Sequence, residues 1–387
     1  MSVFGYRYYP LLDDYIQLDV YPQTPDIYFT LQLYRQRPLA ALFDMFIWSK
    51  SLNLSFLIIT LMHCASACLL IYIFNKCGFK TGLLFAAVFV LCPLNTESTY
   101  WISASGRIVT SVFFATLAAY CLCKESMPFY YVFFVVSLLF YEQTALFSFF
   151  LSLTVIICLK KHDVLYRLFF IGCLYVAYYL TFATGGVFGE RGTFGFTPEV
   201  FKTFLHMLTL WGEIKYTGAG FIVLAVIISL FFCCDSGEPS AKGFLCGLIY
   251  TFFGIFMFMF FESPTVGLRN LFVPLIGIAL MADSIFSKRW RKLITPILAL
   301  FFMLSSATDL TYYRENYYYD QQIISAVAQE ITDKKSYTVS GLNERNITTG
   351  KDFAQFIQGV GSSDWALTGA VRAYLDLPSL PYLHILH

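Results

Sequence analysis

Charge is scarce in this sequence. Asp, Glu, Lys and Arg make up 13% of its 387 residues, against 58% hydrophobic residues, and the formal net charge is +1. Such a balance gives no basic field for a nucleic-acid partner and places the chain among integral membrane proteins. The cysteines and histidines lack the paired spacing of a zinc site, and no structural disulfide is expected. An internal repeat, the mark of many transporters, is also missing. Nothing resembling a signal peptide or an apolar span precedes residues 1–51. Either that segment is translocated unaided or a leading helix is missing from the chain as written, and the second is favoured.

What the sequence has in quantity is apolar run, with 42 Phe and 27 Tyr among its residues. A bilayer core takes about 20 apolar residues per helix, and on that ruler about ten spans are predicted. They lie near 52–74, 82–95, 108–123, 128–141, 144–159, 164–182, 218–234, 243–261, 271–287 and 293–310; the second to fifth are short, and a re-entrant or strongly tilted pair among them changes the count by about one or two. The expected fold class is an all-α polytopic membrane protein with external juxtamembrane helices and a small external α/β C-terminal domain. Its parts are an external loop with an acidic site and an interfacial helix (1–51), a multi-span domain (52–310) and the C-terminal domain (311–387).

Orientation follows from the connections, because Lys and Arg stay on the cytoplasmic side. Alternate connections carry Lys76 and Lys80, Lys124, Lys160 and Lys161, Lys242 and the cluster Lys288–Lys292. The others carry Glu97, Glu142, Glu190, Glu199, Glu213 and Glu262. The expected location is the plasma membrane, multi-pass, with the acidic face extracytoplasmic; the composition suggests a bacterial source.

Chemistry-bearing residues gather on that face. The opening stretch YRYYPLLDDYIQLDVYPQTPD (6–26) holds four aspartates, with Asp13 and Asp14 adjacent. RPLAALFDMFIWSK (37–50) is apolar, too short to span and ends near Trp48, so it predicts a helix lying along the membrane surface. CPLNTESTYWISASGRIVTSVFF (92–114) contributes Glu97, Trp101 and Arg107; charges at this depth are costly, and Glu97 with Arg107 reads as an ion pair or as function. Trp101 alone also fits an interfacial anchor. Glu142 and Gln143 interrupt LLFYEQTALF at a helix hairpin, where a plain polar turn is the alternative. Arg269, in FESPTVGLRNLFVP (261–274), is set to meet a phosphate at headgroup depth. Within the spans, His63 reads as a hydrogen-bonded packing residue. Further along, 183–217 reads as a glycine-rich loop leading into a helix at Thr197-Pro198-Glu199, and Asn346-Ile-Thr348 fits a glycosylation acceptor.

Acids and arginines at a membrane rim suit a substrate with one end in lipid and one in water. LLDDY in a first external loop, CPLNTESTYWISASGRI at the next return and YEQTA later resemble the C-type polyprenyl-phosphate-dependent glycosyltransferase fold. The layout is similar to that of protein mannosyltransferases and of bacterial enzymes that decorate cell-surface glycans. The resemblance implies transfer of a sugar from a polyprenyl-phosphate donor to a hydroxyl of a glycan, lipid or protein acceptor. It implies Asp13 or Asp14 as the catalytic base and Glu97 and Arg269 as family positions; members usually carry a helix ahead of the aspartate loop.

The expected site is therefore Asp13 and Asp14 as catalytic residues, Arg269 and Arg107 on the donor phosphate, and Glu97, Trp101, Glu142 and Gln143 in support. Asp13 and Asp14 are also candidate ligands of a divalent cation, Mg or Mn; no other cofactor is expected. Two alternatives stand beside this reading: a surface-polysaccharide polymerase or ligase, which would rely on several external arginines, and a lipid-linked-sugar transporter or flippase, which needs a polar midplane.

Overall fold

The computed structural model describes residues 8–23, 27–30, 32, 35, 37–179, 181, 196–204, 240–260, 268–334, 337–340, 342 and 359–386. The expected span 218–234, most of the glycine-rich loop and the 346–348 acceptor lie outside the described residues. The helices are α1 (Asp14–Gln23), α2 (Ile27–Thr30), α3 (Pro38–Phe46), α4 (Leu52–Lys76), α5 (Leu83–Leu91), α6 (Thr96–Tyr100), α7 (Ile102–Cys123), α8 (Met127–Phe140), α9 (Ala145–Cys158) and α10 (His162–Tyr178). They continue as α11 (Ala241–Phe256), α12 (Phe272–Ile285), α13 (Lys288–Lys334) and α14 (Asp364–Leu375). Strands β1 (Thr338–Ser340) and β2 (His384–Leu386) pair in parallel, with Val339 opposite Ile385.

Among the described residues, three helices are long and apolar enough to cross a membrane: α4, α7 and the apolar part of α13. Residues 83–100 make a fourth if the pair bent by 47° is counted as one span. Length and composition thus support a membrane protein, but not the expected ten spans. Part of the difference is the expected span 218–234, outside the described residues, and part is helix length. Helices α8 and α9 have 14 residues each and α11 has 16, which at about 1.5 Å per residue is shorter than a bilayer core.

Successive helices run up and down, so charge sorts to two ends. At one end Gly82 donates its amide to Asp283 (2.7 Å), Arg291 reaches the Lys80 carbonyl, and Lys161 bonds Glu125. The lysine-bearing connections meet there. The opposite end receives the opening segment, Glu97, Glu142 and Arg269. Apolar side chains point outward between the ends, among them Tyr166, Phe169 and Phe170 on α10 and Leu300 and Leu304 on α13, as expected where the surrounding solvent is not water.

Small residues set the tightest packing. A side-chain carbon on Gly247 of α11 would stand 2.6 Å from the Gly277 carbonyl of α12, so these two backbones touch. Trp48, near the end of the segment expected to lie along the membrane surface, is 1% exposed, with its indole filling the space over Gly106 of α7. The missing side chain at Gly106 makes a slot for the ring, and burial of so large an apolar surface outweighs the interfacial preference. The 37–50 segment accordingly lies partly within the core: Ala40, Ala41, Asp44 and Met45 of α3 are buried, while Phe46 and Ile47 face out. His63 does pack in the interior, edge-on to Phe89 at 4.7 Å.

The C-terminal region has a small core of its own, entered from the bundle by one long helix. Helix α13 does not end near residue 310 but continues to Lys334, and Ile324, Val327, Ala328 and Ile331 on its far part join Val339, Ala370, Val371 and Ile385 in a second small core. Tyr15 of α1 belongs to that same core. Gly369 of α14 lets the Tyr15 carbonyl approach to 2.9 Å of where a side chain would begin, and Arg372 bonds Asp19 at 3.1 Å. The acidic opening segment is thus clamped between the helical bundle and the C-terminal core.

Candidate functional site

The first amides of a helix have no partner within it and carry its positive dipole end. For α7 those partners come from the opening segment. Ile102 donates its amide to the Tyr8 hydroxyl at 3.1 Å, and Ser103 donates to Asp14 Oδ1 at 3.0 Å. Asp14 Oδ2 accepts from the Leu11 amide at 3.0 Å and from the Tyr8 hydroxyl. Both oxygens of this fully buried carboxylate are therefore engaged. Burial pushes the Asp14 carboxyl up to about 7, against the lowering effect of its hydrogen bonds from Tyr8, Leu11 and Ser103. The same burial pushes the Tyr8 phenol well up.

Asp13 sits beside Asp14 and is only half-buried. Its charge bears on both Asp14 and Asp44. Asp44, fully buried on α3, accepts from Arg107 (3.1 Å) and from Gln17 of α1 (2.9 Å). Burial raises the Asp44 carboxyl above its ordinary value, and Arg107 offsets part of that rise.

A second pair closes the far side. Arg37 grips Glu142 with two nitrogens, its Nε at 2.7 Å from Oε2, and lies 4.7 Å above the Tyr141 ring. Burial acts to raise the Glu142 carboxyl, but the Arg37 charge and hydrogen bond outweigh it and hold the group below its ordinary value. Tyr141 stands within the fields of Arg37, Arg269 and Arg107 at once, although burial keeps its phenol raised.

Glu97 turns to Arg269. Its Oε2 accepts the Arg269 amide at 3.1 Å and its Oε1 lies 3.7 Å from the guanidinium. That guanidinium rests over Trp101 at 5.2 Å and is 30% exposed. Ser98 completes the bracket, donating to the Arg269 carbonyl at 3.0 Å. A cation on an indole face keeps N–H donors directed outward.

The expected residues therefore converge, but with different partners. Glu97 and Arg107, read as one pair from their closeness in sequence, bond Arg269 and Asp44 respectively, with Trp101 in extended conformation between their helices. Trp101 is buried rather than an interfacial anchor, and the Gln143 side chain lies outside the described residues. Arg37, Asp44 and Tyr8 were not singled out from sequence. The signal for Asp44 was present, a lone acid inside the apolar run FDMF, whereas the Arg37–Glu142 pair joins residues 105 apart.

The residues do not fit the expected divalent cation. Both Asp14 oxygens hold protein donors, which leaves Asp13 as a single ligand where such ions take several oxygens. Among the described residues no group of three acidic, His or Cys side chains is placed to hold a metal. The chain matches no family model, no curated protein and no solved structure, so its function is argued from this geometry alone.

Proposed function

We propose that the protein is a membrane glycosyltransferase that moves a sugar from a polyprenyl-phosphate donor to an acceptor hydroxyl at the acid- and arginine-bearing end of the bundle. The observation that carries the reading is the position of Asp13, a half-buried carboxylate next to the Arg107–Asp44 pair at the end of an apolar helical frame. Asp13 rather than Asp14 is the reacting base, since it lies at the edge of the core while Asp14 is fully buried beneath it.

In the proposed reaction the acceptor hydroxyl gives its proton to Asp13 as its oxygen attacks the anomeric carbon. The bond from that carbon to the phosphate oxygen breaks, and polyprenyl phosphate leaves with the electron pair. Arg269, held on Trp101, meets the charge that develops on the departing phosphate. With the lysine-bearing end cytoplasmic, the reaction lies on the outer side.

Purified protein in lipid, supplied with radiolabelled polyprenyl-phosphate sugars and a mixed glycan acceptor pool, tests the proposal. Asp13→Asn is expected to slow donor consumption by at least about a hundredfold, the scale of a lost general base, while folding is retained. Unchanged donor consumption by that variant overturns the assignment.

One observation favours a second reading. Arg37, Arg107 and Arg269 all act on Tyr141, and three arginines at one end also suit a polymerase or ligase that handles a lipid pyrophosphate. Consumption of pyrophosphate-linked oligosaccharides, with no consumption of monophosphate donors, would select it.

A further inference from the structure

A polar group buried without a partner destabilises a fold, so each one in a native interior needs a physical reason. Two such groups stand together where α7 begins. Trp101, at the N-cap, is 7% exposed, and Ser105, one turn on, is fully buried. Neither the Trp101 Nε1–H nor the Ser105 hydroxyl has a hydrogen-bond partner among the described residues. The Ser105 amide donates to the Trp101 carbonyl at 2.7 Å, and residues four apart share a helix face. Packing does not account for the polar atoms, since Phe and Ala would fill the same space.

Arg269 stands beside them, its guanidinium 5.2 Å from the centre of the Trp101 ring. Glu97 does not use up its donors. The Glu97 Oε2 takes the Arg269 backbone amide, and Oε1, at 3.7 Å from the guanidinium, is beyond hydrogen-bond range. An indole N–H and a guanidinium can only donate, and a serine hydroxyl can do so. The missing partner is therefore an acceptor, and the guanidinium charge makes it an anion. A carboxylate offers two oxygens in one plane, whereas a phosphate offers oxygens on several sides and can meet three donors at once.

We infer that the Trp101 Nε1–H and the Ser105 hydroxyl are phosphate-binding donors that, with the Arg269 guanidinium, form one oxyanion site for the phosphate of the isoprenoid lipid. The inference rests on the proposed transferase reading and deepens it by naming two further groups that hold the donor. Trp101 then has two roles: its ring face seats Arg269, and its edge meets a phosphate oxygen. Arg269, 30% exposed, is the side from which the phosphate arrives. Both neutral donors are idle in the free protein, so the ligand gains their hydrogen bonds without breaking any that the protein already makes.

The test titrates the full chain in lipid nanodiscs with undecaprenyl phosphate and, separately, with phosphatidic acid. Affinity is read beside the ultraviolet resonance Raman band that reports indole N–H hydrogen bonding. In the wild type, undecaprenyl phosphate is expected to shift one indole band towards a stronger hydrogen bond, and Trp101→Phe to abolish that shift. Trp101→Phe, which keeps a ring beneath Arg269, and Ser105→Ala are each expected to weaken binding about tenfold, the scale of a hydrogen bond to a charged group. Each removes a donor that is unpaired in the free protein, so the ligand-free melting temperature is expected to hold or rise; a fall in step with affinity makes the two residues structural and overturns the inference. Equal affinity for phosphatidic acid overturns the assignment to the isoprenoid lipid. Weak binding in Arg269→Ala, with both variants at wild-type affinity and an unmoved indole band, overturns the inference and leaves the transferase reading standing. A wild type that binds no undecaprenyl phosphate overturns both. Ser105→Ala and the wild-type spectrum decide the matter should Trp101→Phe fail to fold.

Discussion

Two adjacent aspartates have opposite fates, and the helix they meet explains why. Asp14 enters the core to cap α7, whereas Asp13, one residue earlier, stays at its edge. Asp14→Ala leaves the Ser103 and Leu11 amides and the Tyr8 hydroxyl without that acceptor. The expected loss is roughly 1–3 kcal/mol per buried donor left unpaired, read as a lower unfolding midpoint in detergent. Asp14 also sets a pH dependence. Its folded value of about 7 lies above the ordinary carboxylate range, so the folded state binds the proton more tightly than the unfolded chain. The resulting stability is full in acid, near pH 4 and below, and is lost as pH rises towards 7, by up to about 1.4 kcal/mol per unit. Subtracting the melting curve of Asp14→Asn from that of the wild type at each pH isolates this slope. A flat difference between pH 4 and 7 contradicts it.

At the scale of elements, the pair α11 and α12 matters because Arg269 sits on the turn leading into α12. Gly247 and Gly277 allow the two backbones to touch, and any side chain at Gly277 meets Thr251 and the Gly247 carbonyl. Gly277→Leu is expected to push the helices apart, cost at least about 1–3 kcal/mol as overpacking and weaken donor binding through Arg269. A donor-binding isotherm beside a thermal melt checks both effects. These elements also mark what the sequence disclosed. Apolar runs located most of the helices, and alternation of Lys with Glu sorted the two ends, because both signals are local. Pairings such as Arg37 with Glu142 and Asp44 with Arg107 depend on which helices become neighbours. Runs such as 128–141 and 144–159 located α8 and α9 from composition, whereas the point at which each helix stops depends on its neighbours in the fold.

On the scale of the whole molecule, the C-terminal core is joined to the candidate site twice, through α13 and through α1. Arg372 donates to Asp19 and to the Leu380 carbonyl. Arg372→Ala is expected to loosen α14 from α1 by roughly 1–3 kcal/mol, seen as faster limited proteolysis within 359–386, and to reduce transfer without touching substrate. Sidedness has its own test: a cysteine at exposed Tyr382 should react with an impermeant maleimide in intact cells, whereas one at Glu125 should react only after permeabilisation, with both sites mapped by mass spectrometry. Reversal of the two would place the acidic cluster on the cytoplasmic side. Finally, α13 has 47 residues, about 70 Å of continuous helix, with its lower part among the apolar helices and its upper part in the core that holds Tyr15. Tilt in a bilayer changes with hydrocarbon thickness, so a thicker or thinner membrane that re-tilts this one helix would also move the core that holds Tyr15, two residues from Asp13.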